Sequence, residues 1–172
     1  MPFAYYDRLS PARKRIYRQS DAIGSLPIPP ALRLDADVAG LRGALASDVR
    51  SLVQRHSQAI VDRLVAAYRV PPVRVRVLAR RPSGDYGELH GFYEPGEGRV
   101  RARITVWMRT AQKRQVVAFK SFLRTLCHEV CHHLDYELFA LEETFHTEAF
   151  YKRESALANA LLASLPPRID GQ

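Results

Sequence analysis

Apolar residues recur along the chain with two different periods, and the change between them predicts the order of the elements. From about Asp37 to Tyr68 they are spaced three and four residues apart, as on one face of a helix. We expect an interruption of this helix near Gly40 and Gly43, because glycine weakens a helix interior. The pair Pro71-Pro72 then ends it.

The period changes to two after these prolines, which predicts a small sheet. The segment 73–77 alternates valine with arginine, as a strand with one buried face does. A second strand is expected from Glu88 to Tyr93. A loop at 94–98, which contains Pro and Gly, joins it to a third strand between Val100 and Arg109.

Two further helices are expected after the sheet. No Pro or Gly occurs from about Gln112 to Leu138, and the apolar stripe there comprises Val116, Phe119, Leu123, Leu126, Val130, Leu134 and Leu138. A second periodic segment opens at His146 and continues through Phe150, Leu157, Leu161 and Leu162. The order predicts an α+β fold, in which a sheet of about three strands packs on the helix 112–138 with the other helices at its flanks.

The helix 112–138 also carries the strongest chemical signal in the chain. His128, Glu129 and His132 form the pattern His-Glu-x-x-His. Residues four apart lie on one face of a helix, so the two imidazoles can bind one metal ion. Glu129 lies one residue further round and can serve as the general base for a metal-bound water. The pattern predicts a zinc hydrolase site, and the apolar neighbours Leu126 and Val130 place it on a buried helix.

A third ligand must come from elsewhere in the chain. Asp135 and Leu138 stand where a metzincin would have Gly and His, so that class is excluded. His146 is the better candidate, because a helix that packs antiparallel to the first could return it to the metal. Four downstream glutamates remain alternatives: Glu142, Glu143, Glu148 and Glu154.

These residues resemble a known family. The run Thr125-Leu126-Cys127-His128-Glu129-Val130-Cys131-His132, followed by a His-x-x-x-Phe segment at 146–150, is similar to the SprT-like (Spartan-type) metallopeptidase domain, over roughly residues 73–164. The resemblance implies a zincin-like fold, with zinc held by His128, His132 and His146 and with Glu129 as the catalytic base. Many bacterial members also carry a zinc ribbon, which this chain cannot form from only Cys127 and Cys131.

The predicted function is therefore that of a zinc-dependent metallopeptidase. Glu129 would assist attack of a zinc-bound water on a peptide bond, and the best-known relatives in the resembled family act on proteins bound to DNA. An oxyanion donor could be Tyr93, Tyr136 or Tyr151, and Asp135, Glu142 or Glu143 could orient a ligand imidazole. A peptide substrate could pair with an edge strand, which would be either His90–Tyr93 or Arg101–Trp107.

Charge adds a second hypothesis. The formal net charge is +8, and basic residues gather at Arg13, Lys14, Arg15 and Arg18, at Arg74, Arg76, Arg80 and Arg81, and at Arg99, Arg101, Arg103 and Arg109. Such a field favours polyanions or acidic protein surfaces, so contact with DNA through these clusters is one interpretation and an ordinary solvated basic surface is the other. A nucleic-acid-binding module with a structural or absent metal is the alternative function.

The expected organisation is one compact domain behind a basic arm. Residues 1–36 contain Pro27, Pro29 and Pro30 and are expected to form an irregular arm, whereas 37–172 form the zincin-like domain. No apolar segment reaches a membrane-spanning length, so a cytoplasmic location is the expectation.

Overall fold

The computed structural model describes residues 2–30, 32–84 and 87–166. The first residue of the expected arm, 1, and the last residue of the expected domain, 172, therefore lie outside the described residues. A 3-10 helix covers Ala4–Arg8. The α-helices are α1 (Pro11–Asp21), α2 (Asp35–Ser47), α3 (Arg50–Tyr68), α4 (Phe119–Glu137) and α5 (Glu148–Ala163). The strands are β1 (Val73–Arg80), β2 (Ser83–Gly84), β3 (Gly87–Glu88), β4 (Gly91–Glu94) and β5 (Ala102–Arg109). This confirms the expected α+β class.

The main sheet is small and mixed. Its three strands lie in the order β1-β5-β4, with β1 parallel and β4 antiparallel to β5, while β2 and β3 form a separate short pair. The small sheet and the antiparallel pairing across the loop 94–98 agree with expectation. Because β5 is the central strand, the suggestion that Arg101–Trp107 offers a free edge is wrong, and β4 is the edge strand of that pair.

One face of the sheet packs against the helices and forms the main core. Val75 and Val77 of β1 and Ile104 and Val106 of β5 are all buried, and residues two apart along a strand lie on the same face of the sheet. Helix α3 packs against β1, and α4 lies across β4 and β5. Among the residues described, no helix is both long and apolar enough to cross a lipid bilayer.

The outer edge of β1 is closed by two glutamines of α3. Gln54 donates to the carbonyl of Val75 at 2.8 Å and accepts from the amide of Val77 at 2.7 Å. Gln58 does the same one step along, donating to Val73 and accepting from Val75 at 2.9 and 2.8 Å. Because these amides mimic a neighbouring strand, they satisfy backbone groups that would otherwise invite pairing. The edge of β4 is left as the open edge of the described sheet.

The first 36 residues differ from the expected irregular arm. Ser10 accepts a hydrogen bond from the Arg13 amide and Pro11 occupies the first helical turn, which together start α1. The prolines at 27, 29 and 30 break the chain only after this helix. Ile16 and Tyr17 of α1 are buried in a second hydrophobic cluster with Leu141 and Phe145. The segment is therefore folded against the rest of the chain.

The helical region 37–68 is interrupted at Asp48 rather than at the glycines. Asp48 adopts a left-handed conformation with φ of 58° and ends α2, and α3 begins at Arg50. Gly40 has a different role, because a Cβ atom there would lie 2.3 Å from the ring of His56. The glycine lets α2 and α3 approach closely, with the ring of His56 packed against it.

The core position of α4 can be tested with two leucines of the same region. Leu126 is fully buried, whereas Leu138, just after the helix, is 36% exposed. We expect Leu126→Ala to lower the free energy of unfolding by about 2–5 kcal/mol, because it leaves a cavity, and Leu138→Ala to lower it by less than about 1 kcal/mol. Urea denaturation followed by circular dichroism measures both, and equal losses would contradict the assigned packing of α4.

Candidate metal centre

The structure brings together the three histidines singled out in the sequence. The Nε2 atom of His128 lies 3.0 Å from that of His146 and 3.2 Å from that of His132, and the third separation, between His132 and His146, is 3.0 Å. The cluster is partly open, with His146 exposed and the other two rings half-buried. Three nitrogen atoms thus face one point at the surface of a cleft.

Local structure explains this convergence. His128 and His132 lie one turn apart on α4, and His146 directly precedes Thr147, whose side chain caps α5 by accepting from the Phe150 amide at 2.9 Å. The buried ring of Phe150 lies beneath all three imidazoles, with ring centroids 4.7–5.3 Å apart. The expected antiparallel return of His146 is what places the third ring.

Hydrogen bonds fix the tautomer of His132. The hydroxyl of Thr144 donates to Asp135 at 2.7 Å, so it can only accept from Nδ1 of His132, which lies 2.8 Å away. His132 therefore carries its proton on Nδ1 and presents a lone pair at Nε2. Arg153 extends this series of hydrogen bonds by donating to the other oxygen of Asp135 at 2.8 Å, and the side chains of Arg153 and Asp135 are almost completely buried. Burial raises the pKa of Asp135, but the adjacent permanent guanidinium favours its carboxylate form.

His128 has a carboxylate behind it as well. Its Nδ1 atom lies 3.6 Å from Oε1 of the buried Glu154, which favours a proton on Nδ1 and a lone pair on Nε2. Two lone pairs that face each other across 3.2 Å repel unless a cation lies between them. Zinc–imidazole bonds of about 2.0–2.1 Å at tetrahedral angles separate ligand nitrogens by roughly 3.3 Å. The donor set and its spacing therefore fit a divalent metal ion.

The acid–base state of the rings also suits a metal ion. Burial, with smaller effects from the neighbouring imidazoles, lowers the pKa of His132 to about 2. Burial and the proximity of His128 lower the pKa of His146 to about 4. Both rings are consequently neutral near pH 7, and neutral imidazole is the form that binds metals.

Glu129 lies beside the histidine cluster and against the edge strand. It is 5% exposed, and burial raises the pKa of its carboxyl to about 7, with Glu154 adding to the rise and His128 opposing it. A Cβ atom at Gly91 of β4 would lie 2.5 Å from Oε1 of Glu129. The absence of a side chain at position 91 therefore makes the space that the carboxylate occupies.

A cleft runs past the cluster on both sides of Gly91. One part, of about 450 Å³, has aromatic walls that include Tyr5, Phe92, Tyr136 and Phe145. The other part, of about 760 Å³, extends towards Val116, Val117 and Arg124. Both parts are lined by Leu89, Gly91, His128 and Glu129. The histidines and the carboxylate thus lie midway along an open channel.

The three tyrosines suggested as oxyanion donors have different surroundings. His133 donates from Nε2 to the Pro71 carbonyl at 2.8 Å, so its Nδ1 accepts from the Tyr93 hydroxyl, also at 2.8 Å. The hydroxyl proton of Tyr93 is therefore donated to His133 and does not face the cleft. Tyr151 is 40% exposed beside His128 and His146, and Tyr136 lines the aromatic part of the cleft.

The glutamates suggested as alternative ligands lie elsewhere. Glu143 pairs with Arg13, Glu142 lies 3.9 Å from Arg15, and Glu148 pairs with Lys152 on the surface of α5. Glu154 is near the cluster but contacts the far side of His128. Of the residues proposed to orient a ligand, Asp135 does so through Thr144, and Glu142 and Glu143 do not.

Sequence reasoning missed several residues of the site. Thr144 and Arg153 were not singled out, and Glu154 was considered only as a ligand. The burial of Arg153 could have been predicted from the sequence. The helical period places residues 150, 153 and 157 on one face of α5, and this is its apolar face. Gly91 gave no comparable signal, since its importance depends on the approach of Glu129.

Comparison with protein-family models, with curated proteins and with solved structures gave no match to this chain. The chemistry of the site is therefore inferred from its residues and geometry.

Metal binding can be tested directly. We expect the purified protein to bind one zinc ion, and His128→Ala, His132→Ala and His146→Ala each to lose most of the affinity, because each removes one of three nitrogen donors. His90→Ala is the matched control, since His90 is exposed and lies outside the cluster. Stoichiometry by elemental analysis and a melting temperature raised by zinc are the measurements. Zinc binding by the His132→Ala protein as tight as by the wild type would contradict the assignment.

Proposed function

We propose that the chain is a zinc-dependent metallopeptidase with a zincin-like fold, as the resemblance to the SprT-like domain implies. The observation that carries the proposal is the cluster of three Nε2 atoms with the buried carboxylate of Glu129 beside it. His128, His132 and His146 would hold the ion. Three neutral nitrogen donors, with a carboxylate beside them that is not itself a ligand, are typical of a catalytic zinc site, whereas a structural site usually has four protein ligands.

Each residue has a role in hydrolysis. A divalent ion bound at the three nitrogens supplies Lewis acidity, which makes water more acidic and polarises a carbonyl. Glu129 accepts the proton of the attacking water and returns it to the leaving amine. Its burial beside the histidine cluster places the carboxyl where it can exchange a proton with such a water. Of the tyrosines, Tyr136 is favoured as an oxyanion donor because it lines the cleft and the proton of Tyr93 is committed elsewhere.

A peptide is the substrate that best suits the cleft. The open edge of β4 lies beside Glu129, whereas Gln54 and Gln58 close the edge of β1. An extended chain can add to an open edge through backbone hydrogen bonds, which are independent of its side chains. The cleft also continues on both sides of Gly91, so it can accept a chain that passes through rather than one that ends there. These features favour cleavage within a polypeptide.

The role of Glu129 provides the test of this function. We expect Glu129→Gln to bind zinc as the wild type does and to lose hydrolysis of an unfolded protein such as denatured casein by at least about 100-fold, because the amide cannot accept a proton. Glu137→Gln is the control, as Glu137 is an exposed glutamate at the end of the same helix. Peptide release and bound zinc are measured in parallel. A Glu129→Gln protein that cleaves casein at the wild-type rate would remove Glu129 from this role.

A second candidate function, nucleic-acid binding, is favoured by the outer face of the sheet. The register places Arg74 of β1 beside Arg103 of β5 on the face turned away from the helices, and a groove of about 450 Å³ there is lined by these two, Arg99 and Arg101. Glu94 pairs with Arg103, but no described carboxylate forms an ion pair with the other three arginines. By contrast, Arg13 and Arg15 of α1 face glutamates, so the groove on the sheet is favoured over these two residues as a source of unpaired positive charge.

Salt dependence tests this second function. We expect a single-stranded DNA oligonucleotide to bind, and the double variant Arg74→Ala/Arg101→Ala to reduce the slope of log affinity against log salt by about 1.4, since about one phosphate contact is lost per arginine and each contributes about 0.7 on a single strand. Arg55→Ala is the control, because Arg55 is exposed on α3, away from this groove. Fluorescence anisotropy at several salt concentrations gives the slopes. DNA binding without cleavage of casein by the zinc-loaded protein would favour this function over the peptidase.

A further inference from the structure

The third histidine differs from the other two in its backbone support. His128 and His132 are carried by α4, whereas His146 lies between α4 and α5, in residues 138–147, which form neither helix nor strand. A side chain on irregular backbone has no ladder of hydrogen bonds to fix its position. Other contacts must therefore hold His146 within 3.0 Å of its two neighbours.

Those contacts come from the opposite end of the sequence. The hydroxyl of Tyr5 donates to the backbone carbonyl of His146 at 2.7 Å, across 141 positions of sequence. The ring of Tyr5 packs edge-on against Tyr17, with centroids 5.7 Å apart, and Tyr17 in turn packs against Phe145 at 6.0 Å. Tyr17 is 1% exposed, so this support is itself rigidly placed. Tyr5 thus links the buried face of α1 to the backbone of the third histidine.

The chain on both sides of His146 is attached to the same N-terminal segment. Before it, Arg13 donates from Nε to Glu143 at 2.9 Å. After it, the carboxylate of Asp21 accepts from the amide of Ala149 at 3.0 Å, in the first turn of α5. Asp21 therefore adds to the cap that Thr147 provides, and His146 lies between two anchored points.

The segment also contacts the support of His132. Arg153 donates to the carbonyls of Ser20 and Ile23 at 3.0 and 2.6 Å, just at the end of α1, while it holds Asp135 from the same guanidinium. Through Asp135 and Thr144 this contact reaches the Nδ1 atom of His132. Two of the three histidines are thus connected to residues 2–23 by hydrogen bonds.

We propose that residues 2–23 are a structural part of the metal centre and that Tyr5 is the positioning residue for His146. The proposal rests on the proposed function only in requiring that the three histidines bind a metal ion. It assigns to the N-terminal segment a role that its charge did not suggest. Tyr5 touches neither the ion nor a substrate carbonyl in this role, because its hydroxyl proton is held by the backbone of residue 146.

A double-mutant cycle tests the proposal. The full-length wild type, Tyr5→Phe, His146→Ala and the double variant are titrated with zinc against a chromophoric chelator, and their cobalt complexes are compared by visible absorption. Tyr6→Phe is the matched control, because its hydroxyl bonds to Arg18 at 3.0 Å on the surface. Tyr5→Phe keeps the ring and removes only the hydroxyl, so the melting temperature of the metal-free protein shows whether folding is preserved.

We expect Tyr5→Phe to weaken zinc binding by about tenfold or more, the usual effect of removing a residue that orients a ligand, and to alter the cobalt spectrum. Tyr6→Phe should change neither. In the His146→Ala background, Tyr5→Phe should have no further effect on affinity, because the ligand that it positions is gone. A purely structural role would instead weaken binding equally in both backgrounds.

Two kinds of result would overturn the proposal, and they differ in reach. Zinc binding by Tyr5→Phe as tight as by the wild type, or an equal loss with and without His146, removes Tyr5 from its role and leaves the peptidase proposal intact. A wild-type protein that binds no zinc overturns both.

Discussion

Three imidazole nitrogens held 3.0–3.2 Å apart are the constraint on which the site depends. Neutral rings with their lone pairs turned towards one another repel, so a fold that imposes this arrangement must stabilise it elsewhere or through a cation at its centre. The residues around the cluster favour this arrangement of lone pairs. Thr144 and Glu154 direct protons to the outer nitrogens of His132 and His128, which leaves the inner ones free.

The strongest support is the buried pair of Arg153 and Asp135. Both side chains are at most 1% exposed, and such a pair is stable only when its remaining hydrogen-bonding groups are satisfied. Here the carbonyls of Ser20 and Ile23 and the hydroxyl of Thr144 satisfy them. The ionic pair therefore joins the end of α1, the end of α4 and the first half of α5 at one point. Because each of these elements supports a ligand, the same interaction organises the core and the site.

The two parts of the site differ in how far the sequence could predict them. His128, Glu129 and His132 lie within one helix, so their geometry follows from the period of the helix alone. His146 could be suggested because a short connection requires α5 to return along α4. Its support by Tyr5, and the space for Glu129 beside Gly91, join residues 38 or more positions apart, and no local pattern encodes such contacts.

The fold shows the same division. Alternation at 73–77 and in β5 predicted the strands, but their order could not be predicted, since it depends on whether the third strand lies between the other two. The N-terminal segment was expected to be an irregular arm because the prolines at 27, 29 and 30 break regular structure, whereas α1 forms ahead of them. Its buried residues Ile16 and Tyr17 share a cluster with Leu141 and Phe145, which lie far away in the sequence. Asp48 ends α2 by adopting a left-handed conformation, which aspartate tolerates better than most residues and which no glycine marked in advance.

X-ray absorption at the zinc edge of the zinc-loaded protein tests the central claim most directly. The account predicts scattering from three imidazole rings with nitrogen atoms at about 2.0–2.1 Å and one further light atom, and no sulfur ligand. A zinc–sulfur distance near 2.3 Å would instead place the ion at Cys127 or Cys131, and a shell without ordered imidazole scattering would mean that the three histidines do not hold the ion. Either result would contradict the metal centre described above.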